Sequence, residues 1–223
     1  MSTYLDEIAE QVALFRVPVE QAFGVSLEGI NVKSYGDLRS LLRPKFSRSP
    51  VGWLAYLRGS FVAWREVRGY FVSGGDTIYA NEALQPNKMS LKYYLVHEIG
   101  HVLVDKINPN ISNHDSMNYI HDGTAEWLSL DFLLYQKDVE LTQKEKDLAV
   151  HVQKSMLELA NRCDQLDAER LSKKAFYAQG YRFIAAVARE EGVAGIRKVI
   201  VNPPKVEEIV AGKLKTEINL NIS

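Results

Sequence analysis

Residues 93–104 read YYLVHEIGHVLV, an apolar run that carries two histidines and a glutamate where a helix built only for packing would carry leucines. The spacing predicts a helix that begins near Ser90 and ends before Asn108-Pro109, because a proline disfavours helical backbone in the residue before it. His97, Glu98 and His101 fit the pattern His-Glu-x-x-His. At 3.6 residues per turn, positions i and i+4 stack on one face, so both imidazoles can reach one metal ion while Leu95, Ile99, Val102 and Leu103 face a core. Glu98 stands one step round the same helix. From there its carboxylate can reach a metal-bound water without ligating the metal, which is the placement of a general base. The five-residue pattern is only moderately specific by itself, and its weight here comes from lying inside an amphipathic helix. The bland alternative is two histidines hydrogen-bonded within a core.

A catalytic zinc keeps three protein ligands and one open position. A histidine six residues beyond the second is excluded, because residue 107 is Ile. In HDGTAEWLSLDFLL, residues 121–134, Asp122 and Gly123 read as a helix start. Glu126 then falls about one turn in, with Leu130, Leu133 and Leu134 as the stripe that packs on the first helix. Glu126 is therefore the expected third ligand. His114, Asp115, His121 and Asp122, all read as loop residues, are the competing donors. Two neutral imidazoles and one carboxylate leave a divalent ion with net charge near +1, able to acidify water and polarise a carbonyl. Ligating histidines need outer partners to orient them, and Asp105, one turn beyond His101, and Asp131 are the candidates.

The rest of the chain frames this centre. Its 223 residues, with 46% hydrophobic and 25% charged content, suffice to bury a sizeable core as one domain or two small lobes around a cleft. The formal net charge is -1, and the one notable basic cluster, LRPKFSRSP at 42–50, reads as a solvated loop. That balance argues against nucleic acid as a partner. The single cysteine, Cys163, excludes an intramolecular disulfide and a thiolate cluster and reads as a small buried apolar residue. No run approaches membrane-spanning length, and the acidic N-terminus is unlike a signal peptide. A reducing, cytoplasmic location with no membrane partner is the expectation.

Helical spacing over residues 3–23 predicts one or two helices with Pro18 as a kink or break and Gly24 as a stop. GINVKSY (29–35) alternates like a strand, GDLRSLL (36–42) suggests a short helix, and GYFVSGGDTIYA (69–80) reads as two strands joined by a tight turn. Beyond residue 90 the spacing predicts helices near 91–106, 123–136, 142–162, 167–191 and 203–211. Residues 105–122 are read as the longest loop.

HEIGH followed by GTAEWLS resembles the gluzincin metallopeptidases, in particular the aminopeptidase N-like branch, whose zinc is held by two histidines of the helix and a downstream glutamate. FYAQGYRFIAAVAREEG, residues 176–192, is similar to the Tyr-x-x-Gly helix of that branch. The resemblance implies that Tyr177 donates a hydrogen bond to the tetrahedral oxyanion, with Gly180 allowing close approach of its helix. It implies one zinc per chain on His97, His101 and Glu126, Glu98 and Tyr177 as catalytic groups, and hydrolysis of peptide bonds in a peptide or protein substrate. It also implies a two-lobed α+β fold with the metal between lobes: a mixed β-sheet N-terminal lobe over 1–108 that includes the metal helix, and a helical C-terminal lobe over 109–223. The strand at Thr77 to Ala80 would then bind extended substrate by main-chain pairing. The Gly-x-Met-Glu-Asn motif by which the aminopeptidases grip a free N-terminus is missing, so cleavage of internal bonds is the expectation. Two other readings stay open. TIYANEALQPNKMSLKYYLVHEIGH also fits intracellular proteases that cleave phage-type repressors, and a metal-stabilised binding module without turnover is a third. The sequence does not set the oligomeric state.

Overall fold

A computed structural model describes residues 3–35, 71–82, 88–135, 140–163 and 173–210. The helix expected at 36–42 and the basic stretch at 42–50 lie outside these residues. The chain opens with α1 (Tyr4–Phe23). A capping box starts it: the Thr3 side chain accepts from the Asp6 backbone N–H, and the Asp6 carboxylate accepts from the Thr3 N–H, which satisfies donors a helix start leaves orphaned. Gly24, in the left-handed conformation at φ 61°, ends it. Helix α1 runs unbroken through Pro18. Ile8, Val12, Phe15, Val19 and Phe23 form its buried stripe, and a large apolar side chain buried in this way contributes about 1.5–3 kcal/mol.

Three four-residue strands follow: β1 (Asn31–Ser34), β2 (Phe71–Gly74) and β3 (Thr77–Ala80). They form one sheet in the order β1-β3-β2, with β1 parallel and β2 antiparallel to β3. The remaining elements among the described residues are helical: α2 (Lys88–Ile107), α3 (Met117–Trp127), α4 (Gln143–Cys163), α5 (Lys173–Val201) and α6 (Val206–Val210). Helix α3 continues without a break through a π-helical turn, Leu128–Phe132, into a last short α turn, Leu133–Tyr135. Helix α5 is kinked at Gly192, whose backbone is non-helical. None of the described helices is long and apolar enough to cross a membrane.

This architecture corrects the expected fold class. Helix takes 76% of the described residues, and among them there is no mixed β-sheet lobe set against a helical one. The physical reason lies in α1: its apolar stripe packs on α2, on β1 and on α5, so the N-terminal residues join the helical core and the sheet remains a small appendage to it. The strand order brings a second correction. Thr77–Ala80, expected as an edge open to substrate, is the central strand and is paired on both sides. A third concerns 105–122, where α2 extends to Ile107 and α3 begins at Met117. His121 and Asp122 are thus helical residues.

Helix α3 lies between α2 and α5, and small residues set both distances. A Cβ on Gly100 of α2 would sit 2.6 Å from the Ala125 Cα of α3. A Cβ on Gly123 of α3 would sit 2.4 Å from the Gly180 backbone of α5, and one on Gly180 would sit 2.3 Å from the Tyr119 carbonyl oxygen. These distances leave no room for a methyl group, because the obstacle is backbone. Gly180→Ala is therefore expected to destabilise the chain by about 1–3 kcal/mol or more, a fall in Tm of several degrees at least. A thermal melt unchanged from wild type would show that the two helices can part at no cost.

Candidate metal centre

Helix α2 lines up His97, His101 and Asp105 at intervals of four residues, and α3 turns Asp122 and Glu126, also four apart, towards them. Their nearest atoms define the centre. The Nε2 atoms of His97 and His101 lie 3.1 Å apart, with the rings at 84°. Two ligands about 2.0–2.1 Å from one tetrahedral ion would be about 3.3 Å apart, so these nitrogens stand at nearly the separation a shared cation sets. An Asp122 oxygen lies 3.7 Å from His101 Nε2. His97, His101 and Asp122 offer ligand atoms all within 4.8 Å of one another, and this cluster can hold a metal ion.

Glu126, expected as the third ligand, is placed differently. Its Oε1 lies 3.5 Å from His97 Nδ1, the ring nitrogen turned away from His101. Its Oε2 accepts a 2.6 Å hydrogen bond from the Tyr93 hydroxyl. Among the described residues His97 Nδ1 is buried without a hydrogen-bond partner, and the Glu126 carboxylate is the group beside it. Tyr93 also forms part of the wall of a mainly apolar cavity of about 290 Å³ between α2, the π turn and α4, so this clamp on Glu126 has an apolar backing.

Glu98, the expected general base, is not one of the three clustered donors. It is held from the sheet, accepting hydrogen bonds from the side chain and backbone of Ser73 on β2. Tyr177 reaches the centre from α5: its ring stacks on His97 with centroids 6.1 Å apart and planes at 19°, and its hydroxyl hydrogen-bonds Asp122. Asp131 does not join the histidines. It accepts a 2.7 Å bond from the Tyr181 hydroxyl. His114 is exposed and bonds Ser116, and Asp115 is exposed.

Burial dominates the electrostatics. It pushes His97 well below the usual histidine range, helped by His101, and pushes His101 down to about 4. Both imidazoles are therefore neutral near pH 7 and offer lone pairs. Burial raises Glu126 to about 7 against the opposing bond from Tyr93, with the Asp122 charge adding to the rise. Glu98 is raised by burial and lowered in part by Ser73. Tyr177 is raised by burial, then by the charges of Asp122, Glu126 and Glu98. Unprotonated nitrogens and reluctantly charged carboxylates in one buried space suit a divalent cation, which favours the ligating form of every one of them.

His121, a competing donor by sequence, stands instead between His101 and Asp105. Its Nδ1 lies 3.3 Å from His101 Nδ1, and its Nε2 lies 3.2 Å from Asp105 Oδ1. The signal available was the spacing of His97, His101 and Asp105, which puts Asp105 on the ligand face. Comparisons with models of protein families, with curated proteins and with solved structures give no significant match.

Proposed function

We propose that the protein is a zinc-dependent peptidase that cleaves internal bonds of a peptide or unfolded segment. The observation that carries this reading is the convergence of two neutral imidazole nitrogens 3.1 Å apart on a third donor, Asp122, with a half-buried glutamate next to His97 in the sequence. His97, His101 and Asp122 would hold the ion, and Glu126 would steady His97 through its outer nitrogen. Zinc bound in this way supplies an acidified water and a Lewis acid for the scissile carbonyl. Glu98 serves as the proton carrier. Burial raises its carboxyl above the ordinary glutamate range, which makes it a better proton acceptor than a solvated carboxylate, and its bonds to Ser73 fix the carboxylate as it passes the proton to the leaving amine. Tyr177, whose hydroxyl stays protonated far above neutral pH, can turn its O–H from Asp122 to a developing oxyanion. Strand β2, which carries Ser73, is an outer strand of the sheet among the described residues, and extended substrate can pair with such an edge.

The test uses the full chain. Metal analysis should find close to one zinc per chain, and paired free and N-acetylated peptides should both be cut internally, as read by mass spectrometry. A chelator should stop cleavage and added zinc restore it. Release of single N-terminal residues from free peptides only would overturn the internal-cleavage reading. Full zinc occupancy with no hydrolysis of any peptide would point instead to a metal-stabilised binding module.

A further inference from the structure

His101 is backed by an imidazole where a direct carboxylate or carbonyl partner is the more usual arrangement. We infer that Asp105 and His121 form a two-step hydrogen-bond chain that fixes the tautomer of His101 and so aims its Nε2 lone pair at the metal position. This rests on the zinc reading only for its consequence; the chain itself stands on the three side chains. The order of donors follows from one end. An Asp105 carboxylate can only accept, so at 3.2 Å it accepts a hydrogen bond from His121 Nε2–H. A neutral imidazole that donates from Nε2 has its lone pair on Nδ1, so His121 Nδ1 accepts across the 3.3 Å contact from His101 Nδ1–H. That leaves His101 Nε2 unprotonated, facing His97 Nε2 and Asp122.

The three groups come from two helices, Asp105 and His101 from α2 and His121 from α3, so the chain also ties the metal helix to its neighbour. The rings of His101 and His121 are within 28° of parallel, centroids 5.5 Å apart, which lets a nitrogen of each point at the other. His121 is a positioning residue here and not a ligand, because it meets His101 on the nitrogen opposite the one that faces the donor cluster.

The direct readout is the tautomer. In ¹⁵N-labelled full-length protein, long-range nitrogen–proton correlations should show His121 protonated at Nε2 and His101 at Nδ1, in metal-free as well as zinc-loaded protein. His121 protonated at Nδ1 in both would overturn the chain whatever the zinc affinity. The second readout is the zinc dissociation constant, by competition with a chromophoric chelator. Asp105→Asn loses the charge but can turn its amide oxygen to His121, so it should bind within a few-fold of wild type, whereas Asp105→Ala should bind more weakly than Asp105→Asn. His121→Asn places an oxygen near the Nδ1 position and should retain affinity, while His121→Leu should lose about 10–100-fold. Equal losses in Asp105→Asn and Asp105→Ala would reduce Asp105 to a source of charge, and equal losses in the two His121 variants would reduce His121 to packing; either overturns the inference. Wild-type protein that binds no zinc but shows the stated tautomers would end the zinc reading and leave the chain standing.

Discussion

Replacing Glu98 by Gln should lower peptide hydrolysis by about 10²–10⁴, the scale of a lost general base, while zinc affinity stays at the wild-type level. The separation is expected because Gln keeps the length of the side chain and its carbonyl oxygen can still accept the Ser73 bonds that hold Glu98. The donors of the cluster are untouched by the change. What is lost is the basic oxygen, so the fall should appear in kcat and kcat/KM alike. Turnover within a few-fold of wild type would remove Glu98 from proton transfer.

The other large effect distinguishes two carboxylates one turn apart on α3. Asp122→Ala should remove a direct donor and lower zinc affinity by more than the 10–100-fold typical of an outer partner, leaving a site of two imidazoles. Glu126→Ala should lose about 10–100-fold, because His97 keeps Nε2 in place but loses the carboxylate beside Nδ1. Chelator competition on the two variants gives the order directly. A greater loss in Glu126→Ala than in Asp122→Ala would return Glu126 to the metal and make Asp122 the outer group.

The helical half of this site was readable because its signal is periodic. His97, Glu98 and His101 sit among Leu95, Ile99, Val102 and Leu103, all four fully buried, and the 3.6-residue repeat alone puts the two imidazoles on one face. The facing helix begins at Met117, about six residues before the start its apolar spacing predicts. Its first turn buries Tyr119 and Ile120, but they stand alone among polar neighbours and the Ser116 side chain makes no capping bond, so neither apolar spacing nor a cap residue marks the start. That shift puts Asp122, read as a loop residue, on the helix one turn before Glu126. The small sheet shows a different limit. Both strands of the hairpin were legible from alternation and the Gly-Gly-Asp turn, but which strand is central depends on β1, forty residues upstream, and no local pattern encodes a distant pairing. Pro18 was read as a kink or break and lies inside a continuous helix, where the packing of Phe15, Val19 and Phe23 holds the segment together against the weak prior of local propensity.

The π turn at Leu128–Phe132 follows Glu126 by two residues. A turn of this kind holds one residue more than an α-helical path between the same ends, and residues five apart take the relation that residues four apart have in an α-helix. Residues before the π turn keep their facing, so Asp122 and Glu126 stay against α2, while within the turn Asp131 accepts the bond from the Tyr181 hydroxyl. The turn therefore decouples the two ends of the helix: a change of register beyond Phe132 leaves the facing of Asp122 and Glu126 on α2 untouched.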